Sequence, residues 1–243
     1  MVREKLLLES PVFSIETALK AEEFGVDRIE LCASFHEGGE TPGAGMLKFL
    51  KKHLSIPVYV MIRPRGGDFF YSENEISAMG YEIEILDSHG ADGFVFGALK
   101  DDGSVNSSAC KKLVKIAGSK PCTFHRAIDV CSNPMEAIGK IIDCGFNRIL
   151  TSGGHENVSQ GMAVILEMLE KAGDEIIIMP GGGLEPGLLG ELKKSQYLKE
   201  VHASCKIWED VPQNSIEEKG TGTKKRVTIS REIVQNSKLR VRI

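Results

Sequence analysis

Short apolar, β-branched runs alternate along this chain with stretches whose apolar positions recur at helical spacing. The short runs begin near Lys5, Asp27, Pro57, Asp92, Pro121, Asn147, Ile176 and Val201, eight runs two to three dozen residues apart. The stretches between them carry helix punctuation. Ser72-Glu73-Asn74-Glu75 predicts a capping box, and Asn133-Pro134-Met135-Glu136 puts proline at the first helical position behind an Asn cap. Gly25, Gly90 and Gly145 stand where helices must stop, as left-handed C-terminal caps do. Each also opens a corner that leads straight into a strand: Gly25-Val26-Asp27-Arg28, Gly90-Ala91-Asp92-Gly93 and Gly145-Phe146-Asn147-Arg148. A corner used three times marks a repeated β-α unit.

Eight such units in 243 residues predict an α/β protein, a parallel eight-stranded (β/α)8 TIM barrel of minimal size. A doubly wound sheet is the competing layout, but it needs fewer units and carries a glycine-rich turn after its first strand. Here the first strand runs through Leu7-Leu8-Glu9-Ser10-Pro11 without a glycine. The expectation is one barrel domain over residues 1–243. Residues 207–226 are polar and hold Trp208, Pro212 and Gly220-Thr221-Gly222, so they are expected as a loop over one barrel face or a partly disordered segment. Ser230 to Leu239 reads as a short eighth helix.

Composition narrows the class. Lys and Arg number 30 against 34 Asp and Glu, a net charge of −4, which argues against nucleic acid or an anionic membrane as partner. No apolar run approaches the ~20 residues of a spanning helix. Three leucines behind Met1-Val2-Arg3-Glu4-Lys5 fall short of a signal-peptide core, so an intracellular protein is expected. The six cysteines, at 32, 110, 122, 131, 144 and 205, form no C-x-x-C pair, which points to reduced, mostly buried thiols.

Barrel strands alternate inward and outward positions, and active sites gather at their C-terminal ends. Parity puts Arg28, Glu30 and Cys32 on one face of strand two, with Ile29 and Leu31 on the other. It groups Tyr59, Met61 and Arg63 on strand three, Thr123 and His125 on strand five, and His202 and Ser204 on strand eight. Inward polar residues are costly unless they are paired or used. The candidate cluster is therefore Glu9, Glu30, Cys32, Arg63, His125, His202 and Ser204, with a structural Glu30–Arg63 ion pair as the plain alternative. Thr151-Ser152-Gly153-Gly154 and Pro180-Gly181-Gly182-Gly183 follow strands six and seven, where glycine lets backbone N–H groups reach an anion. Ser152, Gly153, Gly181, Gly182, Gly183 and Ser204 are the candidate anion holders. Arg63-Pro64-Arg65-Gly66-Gly67-Asp68 adds a candidate two-arginine clamp.

Arg28-Ile-Glu-Leu-Cys32, Gly38-Gly-Glu-Thr-Pro42, Met61-Ile-Arg-Pro-Arg-Gly-Gly-Asp-Phe69, Thr123-Phe-His-Arg-Ala127, Leu150-Thr-Ser-Gly153 and Met179-Pro-Gly-Gly-Gly183 occur in that order. Over about Leu8 to Cys205 the chain resembles the CutC family, named for copper homeostasis. The resemblance implies a TIM barrel, a cytoplasmic setting with nuclear residence in eukaryotes, homodimers and Cu(I) binding. Family members often carry Glu-x-Cys on the first strand, and that cysteine joins the one ending strand two in the proposed copper site. Here the first-strand triplet is Glu9-Ser10-Pro11, which leaves Cys32 as the metal candidate. Parity turns Cys122 and Cys205 away, so Met61 is its possible soft partner; Cu(I) prefers two or three such ligands, and weak binding is expected.

Two function classes follow. One is a copper-handling barrel. The other is a lyase- or isomerase-like enzyme acting on a small anionic or phosphorylated molecule. In the second, Glu9 or Glu30 is the general base, His125 or His202 the acid, Arg63 with Arg65 the anion clamp, and Asp129 orients His125 or Arg126.

Overall fold

The structure, a computed structural model, describes residues 6–210 and 225–241. Strands β1 (Leu7–Val12), β2 (Arg28–Leu31), β3 (Val58–Met61), β4 (Gly93–Phe96), β5 (Cys122–Phe124), β6 (Arg148–Thr151), β7 (Ile177–Pro180) and β8 (Glu200–His202) form one parallel sheet in the order β7-β6-β5-β4-β3-β2-β1-β8. β8 pairs with β1, and β7 lies beside β8, so the sheet curls into a nearly closed barrel. Helices α1 (Ile15–Phe24), α2 (Ala44–Leu50), α3 (Glu73–Ser88), α4 (Ser107–Ala117), α5 (Pro134–Asp143), α6 (Val158–Ala172), α7 (Leu189–Leu192) and α8 (Arg231–Val241) alternate with the strands. None of the described helices is long and apolar enough to cross a membrane.

The repeated corner has a physical job. Gly25, Gly90 and Gly145 all take the left-handed conformation that turns the chain out of a helix. The Asp or Asn two residues later caps the start of the preceding strand. Asp27 Oδ2 accepts from the Leu8 amide at 2.9 Å, Asp92 Oδ2 from Val58 at 2.8 Å, and Asn147 Oδ1 from Cys122 at 2.8 Å. One corner thus both ends a helix and locks two adjacent strands.

Outward strand residues Leu8, Ile29, Leu31, Val58, Val60, Phe94, Phe96, Phe124, Ile149, Ile178 and Val201 are buried against the helix ring. Each such side chain contributes about 1.5–3 kcal/mol of burial. The helices start as expected. Ser72 and Glu75 form a reciprocal capping box, and the Asn133 side chain accepts from the Glu136 amide at 3.2 Å ahead of Pro134.

The end of the chain differs from the expected loop. Residues 206–210 and 225–229 pair as an antiparallel ribbon, β9 (Lys206–Asp210) and β10 (Lys225–Ile229), with Trp208 opposite Val227. The ring of Trp208 packs edge-on against Phe35, 5.6 Å between centroids, in the loop after β2. Alternating Ile207, Val227 and Ile229 support pairing that the polar average of the segment conceals. The rest of the expected loop, residues 211–224, lies outside the described residues.

Candidate functional site

Register sets the first level of the barrel interior. Glu9 stands opposite Arg28 on one side and opposite His202 on the other. Arg28 Nε donates to Glu9 Oε2 at 2.5 Å and its Nη2 donates to Glu200. Arg148 donates to Glu200 through Nε at 3.1 Å and Nη2 at 3.3 Å. Both guanidinium groups lie over the Tyr59 ring, at 4.5 and 5.0 Å. Two arginines and two carboxylates thus close a buried, charge-balanced network beneath the site. Arg148 and Glu200 were not among the sequence candidates, although they share the inward parity of Ser152 and His202, four and two residues further along the chain.

Above this floor, His202 Nδ1 donates to Glu9 Oε1 at 2.8 Å, and His202 Nε2 lies 3.9 Å from Glu30 Oε2. Cys32 Sγ donates to the same Glu30 oxygen at 3.6 Å. Burial pushes the Glu9 carboxyl up, but Arg28 and His202 outweigh it and hold it down at about 2. Glu30 goes the other way. Its burial dominates, Glu9 adds repulsion, and the attraction of His202 leaves it raised to about 7. His202 is raised because the two carboxylates overcome its burial. Burial and the Glu30 charge raise the Cys32 thiol well above its ordinary value, so it keeps its proton.

Atoms of Glu9, Glu30 and His202 lie within 4.8 Å of one another, a spacing that suits a cation. Both Glu9 oxygens are already engaged, however, by Arg28 and His202. The trio is better suited to moving a proton: Glu9 fixes the histidine, and the histidine faces a carboxyl that titrates near neutrality. Glu30 Oε1 is buried without a hydrogen-bond partner. Beside it, the Gly39 Cα covers Cys32 and Met61 so closely that a Cβ there would sit 3.3 Å from Cys32 Sγ and 3.5 Å from Met61 Cε.

Arg63 does not form the expected pair with Glu30. The strand ends at Met61, and the turn beyond it hands the guanidinium to loop carbonyls: Nη1 to Glu37 at 2.5 Å and Gly39 at 3.0 Å, Nη2 to Gly67 at 2.8 Å. Arg63 Nε is buried without a partner. Nor is Arg65 the other half of a clamp. It binds Glu75 at 2.6 Å and Asp68 at 3.1 Å, tying its loop to α3.

His125 Nδ1 accepts from the Ala127 amide at 3.3 Å, which places the proton on Nε2. That Nε2–H is buried and unpartnered. Burial, then the Arg63 charge, push His125 down to about 3, so the imidazole is neutral and cannot supply a proton as an imidazolium acid. The ring lies 4.7 Å from that of Phe69, which also carries the Arg63 guanidinium at 5.0 Å.

The expected anion loop after β6 is already filled by the protein itself. The Asp129 carboxylate accepts from the Ser152 amide at 3.0 and 3.1 Å, the Ser152 hydroxyl at 2.9 Å, the Thr151 hydroxyl at 2.5 Å and the Gly154 amide at 3.0 Å. Arg126 Nε donates to it at 2.8 Å, and Arg126 Nη2 donates to Ser152 Oγ at 2.6 Å. Of the two partners expected for Asp129, it holds Arg126 and not His125. The Gly153 amide is used by Thr151 Oγ1, and the Gly181 amide by the Thr151 carbonyl. Gly181 backs His202, where a Cβ would sit 2.8 Å from His202 Cβ. Gly182 lies against Arg126, where a Cβ would approach Cζ to 2.9 Å, and Gly183 lies against Asn157. Ser204 is half-buried, and its carbonyl accepts from Ser10 Oγ at 3.4 Å. Arg126, partly exposed beside these loops, was a residue the sequence reading mentioned only as a partner for Asp129.

The sequence profile described as the CutC family matches residues 6–207. The copper homeostasis protein cutC homolog of Homo sapiens is 43% identical over 204 residues, 84% of this chain and 75% of that protein. A family protein CutC of Salmonella typhi is 42% identical over 201 residues, 83% of this chain and 77% of that protein. Among solved structures, the putative copper homeostasis protein CutC from Streptococcus agalactiae superposes with a TM-score of 0.77 at 29% identity, covering 82% of this chain and 98% of that one. An aldolase, QR15, superposes with a TM-score of 0.61 at 15% identity over 84% of this chain and 91% of its own, a likeness of fold alone.

Proposed function

This chain belongs to the CutC family, and from that premise we propose that it serves copper homeostasis through a small-molecule acid–base site at the C-terminal end of its barrel. The observation that carries the chemistry is the Glu30 carboxyl: buried, raised to about 7, and free at Oε1 to exchange a proton with a bound molecule. His202 stands 3.9 Å behind it, fixed by Glu9, and stabilises the carboxylate whenever the proton leaves. The Arg28–Glu200–Arg148 network below gives Glu9 a rigid, charged support. Cytoplasmic residence and pairing of two copies accompany this reading.

Direct Cu(I) binding is a second reading, favoured by the adjacency of Cys32 and Met61 beneath Gly39. It is the weaker of the two. The first strand offers Ser10 and Pro11 where a second soft ligand would be needed.

The test is proton exchange. The protein is incubated in D2O with a mixed small-molecule extract of cells, and deuterium uptake is read by mass spectrometry. Uptake that Glu30→Gln abolishes and Cys32→Ser leaves intact is the expected result. Uptake absent with wild type, or unchanged in Glu30→Gln, overturns the acid–base reading.

A further inference from the structure

Away from the barrel mouth, two thiols meet in the helix ring, between α4 and the end of α5. Ser107, Cys110 and Val114 stand at i, i+3 and i+7 of α4 and so share one face. The corner that ends α5 lies along that face. As a thiol, Cys144 Sγ donates to the Ser107 carbonyl at 3.7 Å, and a Cβ on Gly145 would sit 3.3 Å from Val114 Cγ1. Cys110 stands between these two contacts, and its thiol shares a hydrogen bond with that of Cys144. Both cysteines are free, Cys110 fully buried and Cys144 5% exposed. Asp143, Gly145 and Lys111 around Cys144 are exposed, so its sulfur lies one side chain below the surface.

The two sulfurs are not equivalent. Cys110 Sγ also lies 3.8 Å from the Ala98 carbonyl. Its hydrogen bond to Cys144, and then its burial, raise Cys110 well above the ordinary thiol value, with the nearby Cys131 adding to the rise. Cys144 moves the other way. The bond from Cys110 outweighs its burial, Ser107 and the Lys111 charge help, and against the Asp143 charge the thiol is lowered to about 7. Burial instead raises Cys32, Cys122, Cys131 and Cys205. Cys144 is therefore the cysteine that offers a thiolate near neutral pH, with a protonated thiol in contact with it. A nucleophilic sulfur poised beside a second thiol is the arrangement that closes a disulfide on oxidation.

We propose that Cys144 and Cys110 form a reversible oxidation site, separate from the Glu30 site, in which a small hydroperoxide oxidises Cys144 and Cys110 resolves it to a disulfide. The Cys144 thiolate attacks one peroxide oxygen. An S–O bond forms, the O–O bond breaks, and the other oxygen leaves as hydroxide, which takes up the proton that Cys144 released and becomes water. Cys144 is now a sulfenic acid, oxidised by two electrons, and the peroxide is reduced by two. The Cys110 sulfur then attacks the Cys144 sulfur. An S–S bond forms, the S–O bond breaks, and the departing hydroxide carries off the Cys110 proton as a second water. In sum, two thiols and one hydrogen peroxide give one disulfide and two waters. The bond ties α4 to the end of α5, and exchange with an external dithiol reverses it. The slight exposure of Cys144 admits a two-oxygen oxidant and hinders a bulky disulfide.

The test treats the reduced full chain with equimolar hydrogen peroxide, blocks remaining thiols with N-ethylmaleimide under denaturing conditions, and maps the digest by mass spectrometry. The expected product is a peptide pair joined through Cys110 and Cys144, released by dithiothreitol, with the other four cysteines alkylated. Glutathione disulfide at the same concentration should form that link at least tenfold more slowly. Cys110→Ala should stop at the sulfenic acid, trapped as a dimedone adduct on Cys144. Cys144→Ser should slow peroxide consumption at least tenfold, and Cys131→Ser should leave the cross-link unchanged. If a variant fails to fold, wild type alone decides, through its peptide map and through Cys144 alkylation by iodoacetamide, whose rate should rise with a midpoint near pH 7. Absence of the cross-link, a link through Cys131 or any other cysteine, or an oxidised Cys144 that dithiothreitol does not restore overturns the proposal. So does a dimedone adduct on a different thiol, or equal rates with peroxide and glutathione disulfide.

Discussion

The Asp129 carboxylate accepts from both the amide and the hydroxyl of Ser152, and so occupies the position that the glycine-rich loop after β6 offers to an anion. A chain that carries its own anion at the end of β6 has no need of a phosphate there. The prediction is that Asp129→Ala opens this seat. Losing a carboxylate with several charge-assisted bonds should destabilise the fold by about 1.5–3 kcal/mol. Added acetate should then raise the melting temperature of Asp129→Ala and leave that of wild type unchanged. Equal responses of the two proteins would show that the seat is not an anion site.

The contrast with the expected site shows what a sequence can carry. The fold was legible because its signals are local. The Gly-x-Asp/Asn corner uses the same backbone turn and the same strand-capping hydrogen bond three times, at Asp27, Asp92 and Asn147. Strand parity correctly brought Glu9, Glu30, Cys32 and His202 together, since inward residues of adjacent parallel strands share a level. Parity failed beyond the strand ends. Arg63 stands on a loop and Asp129 in a short 3-10 helix after β5, where the local turn decides which carbonyl or amide a side chain meets, and no strand periodicity encodes that choice. Arg148 and Glu200 were readable from parity, but at the first position of each strand they look like helix-side charges.

Two linked titrations follow from the Glu9–His202–Glu30 arrangement. Glu9 is held below its unfolded value of 4.5, at about 2. Its contribution to stability is full above pH 4.5 and is lost as pH falls toward 2. Glu30 is raised from 4.5 to about 7, so its contribution is full below pH 4.5 and is lost as pH rises through about 7. Replacing Glu30 with Gln removes that second loss. The variant should gain stability relative to wild type between pH 5 and 8 in denaturant titrations. A difference independent of pH across this window would contradict the raised carboxyl.

Copper affinity should be weak and should depend on Cys32. Competition with a Cu(I) chelator measures it, and Cys32→Ser should abolish whatever binding exists. Pro11 stands in register with Glu30, on the inward parity of Glu9, so Pro11→Cys adds a second soft ligand near Cys32. That substitution should raise Cu(I) affinity at least tenfold. Tight binding by wild type that survives Cys32→Ser would place copper elsewhere in the chain.

The floor of the site makes the sharpest energetic prediction. Glu200 is the only carboxylate hydrogen-bonded to Arg148 among the described residues, and it also binds Arg28. Glu200→Gln leaves Arg148 buried without a counter-charge, which should cost about 3–5 kcal/mol. For a chain of this length, that lowers the melting temperature by roughly 6–20 °C. The double variant Arg148→Met with Glu200→Gln should be less damaged than the single one. It removes the stranded cation, while Arg28 keeps its 2.5 Å bond to Glu9 and its place over Tyr59. The comparison separates two accounts of the network. If charge balance governs, the second substitution restores stability; if packing governs, the losses add. Additive losses in a thermodynamic cycle would mean that the floor holds Glu9 in place by shape rather than by charge.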